Sequence, residues 1–196
     1  MKTTGSIALA GALALAACNN ADETQNPDAD ADMATADDMA NSTVMDGPAA
    51  DAATPGSPQE FVDMAAASDM FEIESAELAQ EMGSSQAVKD FAAMMIEDHT
   101  AATEDLKTAA AAAQPALTVA PELSAEQQAQ LDALRQAGDG FDALYKEQQI
   151  AAHEKALALL EGYADSDGPE PLKNFASETA TIVEGHLERV RDLSVE

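Results

Sequence analysis

The chain has 196 residues, with 37 acidic side chains against nine basic ones and a formal net charge of −28. No run of Lys or Arg exists to form a phosphate-binding patch, which excludes nucleic acid as a partner and anionic lipid held by charge alone. One cysteine excludes an internal disulfide or a Cys-rich metal site, and abundant Ala without any Trp suits closely packed helices rather than a β-sandwich.

The first segment, MKTTGSIALAGALALAAC, reads as an export signal. Lys2 and the free amine form a positive start, and Ile7 to Ala17 an apolar stretch of about 11 residues, too short for a permanent membrane span but the length of a signal-peptide core. It ends in Leu15-Ala16-Ala17-Cys18, which resembles the bacterial lipobox. That resemblance implies cleavage after Ala17, lipidation of Cys18 and attachment to the membrane by an acyl anchor. Asn19 stands where an Asp would imply inner-membrane retention, so the outer membrane is the favoured destination, with the domain facing the periplasm or the exterior. Residues 18–56 are rich in Ala, Asp, Asn, Thr and Pro, contain no Lys or Arg, and have no sustained apolar period. They are expected to form a disordered acidic tether, spanning a few tens of ångströms at roughly 5–6 Å × √n.

The folded domain is expected over 57–196. Ser57, Pro58 and Glu60 predict a capped helix start, and helix one runs to about Met82 with Gly83 as its stop. Its apolar stripe reads Phe61, Ala65, Ser68, Glu72, Ser75 and Ala79. Helix two is predicted from about Ser84 to Ala113, with Val88, Met95, His99, Ala102 and Leu106 on one stripe. Ser124 and Gln127 form a capping box that opens a short extra helix in the central link, ending near Ala137. Gly138-Asp139-Gly140 interrupts it, and the third long helix runs from Phe141 to about Tyr163 with Tyr145, Gln149, His153, Ala156 and Leu160 on its stripe. After the turn DSDGPEP the last helix carries Leu172, Phe175, Thr179, Ile182, His186, Val190 and Leu193. VKDFA (Val88–Ala92) and LKNFA (Leu172–Ala176) repeat at the starts of the second and fourth long helices. Two hairpins of like design predict an all-α four-helix bundle built from two antiparallel helical hairpins.

Each long helix thus places one ionisable group on its apolar stripe: Glu72, His99, His153 and His186. All three histidines of the chain are used this way. At about 1.5 Å per residue, the two groups of each hairpin are staggered by about 7 Å; long side chains can span part of that offset, so one shared site and two separate polar pairs are equally compatible with it. One reading is a metal site, since imidazole and carboxylate suit Cu, Fe, Mn or Zn and bundles build such sites from facing helices. Met95, one turn before His99, would add a thioether and favour copper. The Glu-x-x-His pairs of di-iron carboxylate proteins are absent: Ile96, Ile150 and Val183 stand three residues before the histidines. The other reading is a buried hydrogen-bonded network in which Glu72 accepts from a histidine, Tyr145 pairs with His186 and Ser68 contacts His99. The acidic residues around His99 (Glu97, Asp98, Glu104 and Asp105) read as a solvated face, and the methionines as core filler. No nucleophile–base arrangement and no phosphate loop is legible.

FVDMAAASDMFEIESAELA, VKDFAAMMIEDH, FDALYKEQQIAAHEKALALL and LKNFASETATIVEGHL together resemble the bacterial envelope family of domain of unknown function 4142. The resemblance covers roughly Gln59 to Leu193. Its pattern matches at Glu72, Asp98-His99, Phe141-Asp142, Tyr145, His153 and His186-Leu187. It implies a ferritin-like fold and an envelope location, and no established reaction. The sequence favours a non-enzymatic envelope lipoprotein with an internal Glu/His network, acting through an unknown protein partner or in envelope stress tolerance. A periplasmic metal binder or metalloenzyme using Glu72, His99, His153 and His186 is the alternative, and weak cation buffering by the acidic surface a third.

Overall fold

The computed structural model describes residues 54–195. The segments expected to form the export signal and the tether, with Cys18, lie outside them up to residue 53. The described residues form an all-α helical bundle: α1 (Pro58–Met82), α2 (Gln86–Ala112), α3 (Ala125–Gln136), α4 (Phe141–Ala164) and α5 (Glu170–Arg191), with a 3₁₀ turn over Gly138–Gly140 between α3 and α4. Among the described residues no helix is long and apolar enough to cross a membrane.

Local chemistry sets these boundaries. Ser57 accepts from the Glu60 amide and Pro58 occupies the first turn of α1, where its missing N–H costs nothing. Both halves of the Ser124/Gln127 capping box form at the start of α3. Gly138 has a φ of 53°, a left-handed conformation that ends α3 and lets the chain turn into α4. The repeated pentapeptides occupy equivalent places near the starts of α2 and α5, where Val88, Phe91, Leu172 and Phe175 are all buried.

The long helices pack in a cycle, α1 against α2 and α4, and α5 against α4 and α2. Polar contacts fix their directions. Asp69 meets His99 while Gln80 meets Lys89, so α1 and α2 are antiparallel. Glu72 meets His153 and Ser75 meets Gln149, so α1 and α4 are antiparallel as well. Asp98 with His186, and Met94 with Arg189, make α2 and α5 antiparallel. The link carrying α3 therefore returns along the bundle, and α2 and α4 run the same way.

The apolar core is divided. One cluster contains Phe61, Leu106, Leu160, Tyr163, Leu172 and Phe175. A second contains Phe71, Phe91, Met95, Leu131, Leu134, Phe141, Tyr145 and Val190. On α2, α4 and α5 the stripe histidine falls between these groups, and on α1 Glu72 lies at their boundary, next to Phe71, so a polar layer is enclosed by apolar material above and below. Two stripe assignments need correction. Ser68 is only half-buried and Asp69 takes the inward position instead, while Ile182 is 48% exposed and Val183 fills the core in its place.

Candidate metal centre

Four helices each deliver one side chain to the layer: Glu72 from α1, His99 from α2, His153 from α4 and His186 from α5. All four are buried, at 1, 4, 1 and 3% exposure. The imidazole centroids form a nearly equilateral triangle, 5.9 Å from His99 to His153, 5.5 Å from His99 to His186 and 5.6 Å from His153 to His186. One nitrogen from each ring lies within 4.8 Å of the others. The side chains close the stagger expected from helix rise alone.

Each ring is anchored on its outer side. His99 Nδ1 is 2.9 Å from Asp69 Oδ1, and Thr103 Oγ1 donates to Asp69 Oδ2 at 3.2 Å. His153 Nδ1 is 2.7 Å from the Gln149 carbonyl oxygen. His186 Nε2 is 2.8 Å from Asp98 Oδ2. A carbonyl can only accept, so the His153 contact fixes the proton on Nδ1 and leaves Nε2 as a lone pair. The carboxylates favour the matching arrangement at the other two rings. Opposite these anchors, His99 Nε2, His153 Nε2 and His186 Nδ1 are buried without a hydrogen-bond partner, as are both carboxylate oxygens of Glu72. Glu72 Oε1 does lie 3.5 Å from His153 Nδ1, but that nitrogen's proton is committed to Gln149.

Burial governs the electrostatics. It pushes the Glu72 carboxyl from 4.5 up to about 7, against the opposing pull of His99. It also drives His153 down to about 3, with the His99 charge adding to the effect. His186 is lowered by burial despite the Asp98 hydrogen bond. At His99 burial again pulls downward, but the Asp69 hydrogen bond and the Glu72 and Asp69 charges outweigh it and the ring is raised. Two neutral imidazoles thus stand ready as ligands, and His99 and Glu72 would surrender protons to an ion.

The donor set fits a late transition metal. Structural and catalytic sites commonly take three imidazoles or two imidazoles and a carboxylate, with outer carboxylate or carbonyl partners holding the rings. Seating three nitrogens tetrahedrally at about 2.0–2.1 Å requires the present 4.8 Å spread to contract by at most about 1.5 Å, within reach of small side-chain adjustments.

The structure brings the three stripe histidines together and sets Glu72 beside the outer nitrogen of His153, and it rearranges their expected companions. Asp69, not Ser68, meets His99. Tyr145 does not pair with His186; its hydroxyl has no partner among the described residues. Met95 packs in the second apolar cluster. Asp98, expected to be only a solvated charge, holds His186, and Asp142 accepts from the Ser84 and Ser85 amides at 2.9 and 2.8 Å, locking the α1–α2 turn to the start of α4. The residue pairs Asp98-His99 and Phe141-Asp142 therefore have distinct structural duties for each member.

Fold and site define a helical-bundle domain with a buried layer of three histidines and one carboxylate. The chain belongs to the family of domain of unknown function DUF4142, whose family model matches residues 43–193. No curated protein and no solved structure matches it.

Proposed function

We propose that this domain binds one transition-metal ion through His99 Nε2, His153 Nε2 and His186 Nδ1, with the Glu72 carboxylate as a fourth ligand. The carrying observation is the split in hydrogen bonding: the outer nitrogen of every ring is engaged and the inner one is not. Members of a self-contained polar network satisfy one another, and this layer leaves three inward ring nitrogens and both Glu72 carboxylate oxygens unsatisfied, a costly arrangement unless something joins them. The imidazole-rich set favours Zn(II) or Cu(II) over Mn(II). We read the bundle as ferritin-like, supported by its two antiparallel hairpins and returning link, and place it in the cell envelope on an acyl anchor at Cys18, supported by the export signal and lipobox-like sequence.

The test is metal analysis of the protein, produced without a polyhistidine tag, beside a His99→Ala/His186→Ala double variant. Near-stoichiometric metal in the parent and none in the variant is expected. Weak, salt-screened binding that is equal in both would return the layer to a structural role and leave only the acidic surface as a cation attractor.

A further inference from the structure

The three anchors of the histidine layer differ in one respect. Asp69 is buried, its side chain 8% exposed, and the Gln149 carbonyl lies inside a helix. The Asp98 side chain is 39% exposed, although its Oδ2 touches a ring that is itself 4% exposed. Glu72, His99 and His153 have no comparable connection to the surface. The α2–α5 seam is thus where a carboxylate side chain partly open to solvent is one imidazole away from the inner cluster.

We propose that Asp98 and His186 form the port of the metal centre: the Asp98 carboxylate is a transient surface site for a hydrated divalent transition cation, and His186 is the gate through which the ion passes inward. This rests on the metal-binding reading above. An ion approaching the strongly acidic surface is drawn in by the protein's field and meets Asp98, with water completing its shell. Outward swing of His186 frees Asp98 from its hydrogen bond and opens the seam. The return of Nε2 to Asp98 places Nδ1 on the ion and closes the site. No bond other than coordination and hydrogen bonds changes, and any proton displaced leaves to water.

The surroundings of the port support its use as a gate. Met94, one turn before Asp98 on α2, is contacted by the Arg189 guanidinium from α5. Arg189 is exposed and lies one turn beyond His186. That contact ties the seam shut beside the port and sets a fixed positive charge near the path of an incoming cation. Arg189 therefore restrains entry.

Stopped-flow loading of the full chain with Zn(II), followed by chelator-driven release, tests the port. Asp98→Asn retains an oxygen that accepts from His186 Nε2 but removes the negative charge. The expected result is association slowed by about tenfold or more, with release slowed as well, because both directions use one passage. Arg189→Ala is expected to speed both severalfold. Unchanged association with faster release in Asp98→Asn would overturn the port and leave Asp98 as a residue that only orients His186. Failure of the parent protein to bind Zn(II) or Cu(II) would instead overturn the metal-binding reading itself, and the port with it.

Discussion

His153 donates its Nδ1 proton to the carbonyl oxygen of Gln149, one turn earlier on the same helix, at 2.7 Å. Because the acceptor belongs to the helix backbone, no substitution of Gln149 can remove it. Only the Gln149 side chain, which donates to Ser75 Oγ at 3.0 Å, is open to mutation. His153→Ala is expected to lower metal affinity by at least 100-fold in competition with a chelator, whereas Gln149→Leu keeps the ring orientation and loses far less. Equal losses in the two variants would count against His153 as a direct ligand.

Asp69 and His99 supply the complementary case, an anchor made of a side chain. Asp69→Asn leaves an acceptor for Nδ1 but weakens the charge that raises the ring. Partners of this kind commonly contribute 10–100-fold to metal affinity. A loss in that range, read by isothermal titration, is expected with α-helical circular dichroism unchanged.

Glu72 stores a conflict between stability and binding. Its carboxyl is raised from 4.5 to about 7 in the folded state by burial. The protonated form is therefore favoured by folding, and the stability linked to it is present below pH 4.5 and lost as pH rises through 7. Glu72→Gln removes the buried charge. At pH 8 the metal-free variant is expected to be more stable than the parent, by up to about 3 kcal/mol in urea denaturation, while binding metal more weakly. A variant less stable than the parent under those conditions would show that Glu72 is an internal structural partner.

Metal binding as proposed would also displace protons. His99 is raised and Glu72 stands at about 7, whereas His153 stands at about 3 and His186 is lowered. The first two are the sources of released protons, and about one to two per ion are expected near neutrality. Affinity rises with pH through the neutral range and falls as the solution is acidified. Calorimetry in buffers of different ionisation enthalpy measures the number directly, and zero release would contradict coordination by His99 and Glu72. His153 acts on the metal-free fold with the opposite sign to Glu72. Its depressed value gives stability that is present above pH 6.5 and lost as pH falls towards 3.

Asp142 governs the bundle without touching the ring triangle. Asp142→Ala strands the Ser84 and Ser85 amides that it now satisfies. A loss of about 1–3 kcal/mol is expected on chemical denaturation, with metal stoichiometry retained in the fraction that folds.

Much of this molecule is legible from local signals. Ser124 and Gln127 reveal the start of α3 because a capping box is complete within four residues. The stripes of α2 and α4 reveal His99 and His153 because helical period alone aligns them with Val88, Leu106, Tyr145 and Leu160. Asp69 escaped notice because Ala65, Asp69, Glu72 and Ala76 make as good a period as the stripe through Ser68, and a charge is ordinarily placed outside. Asp98 escaped for a different reason. Its partner lies on a helix 88 residues away in sequence, so nothing near it distinguishes an anchor from a solvated carboxylate. The exchange of Ile182 for Val183 has the same origin: adjacent β-branched residues compete for one place, and only the packing of α5 on its neighbours decides.

The placement of the histidines on three different helices has a consequence for how the protein would choose its metal. In the unfolded chain these side chains are far apart and offer no common site. An ion bound by all three is a cross-link between the two hairpins, formed only once both have docked. Selection then depends less on rank order of affinity than on which ions surround the chain at the moment of folding. The compartment in which the bundle closes, rather than the bundle alone, writes the identity of what it holds.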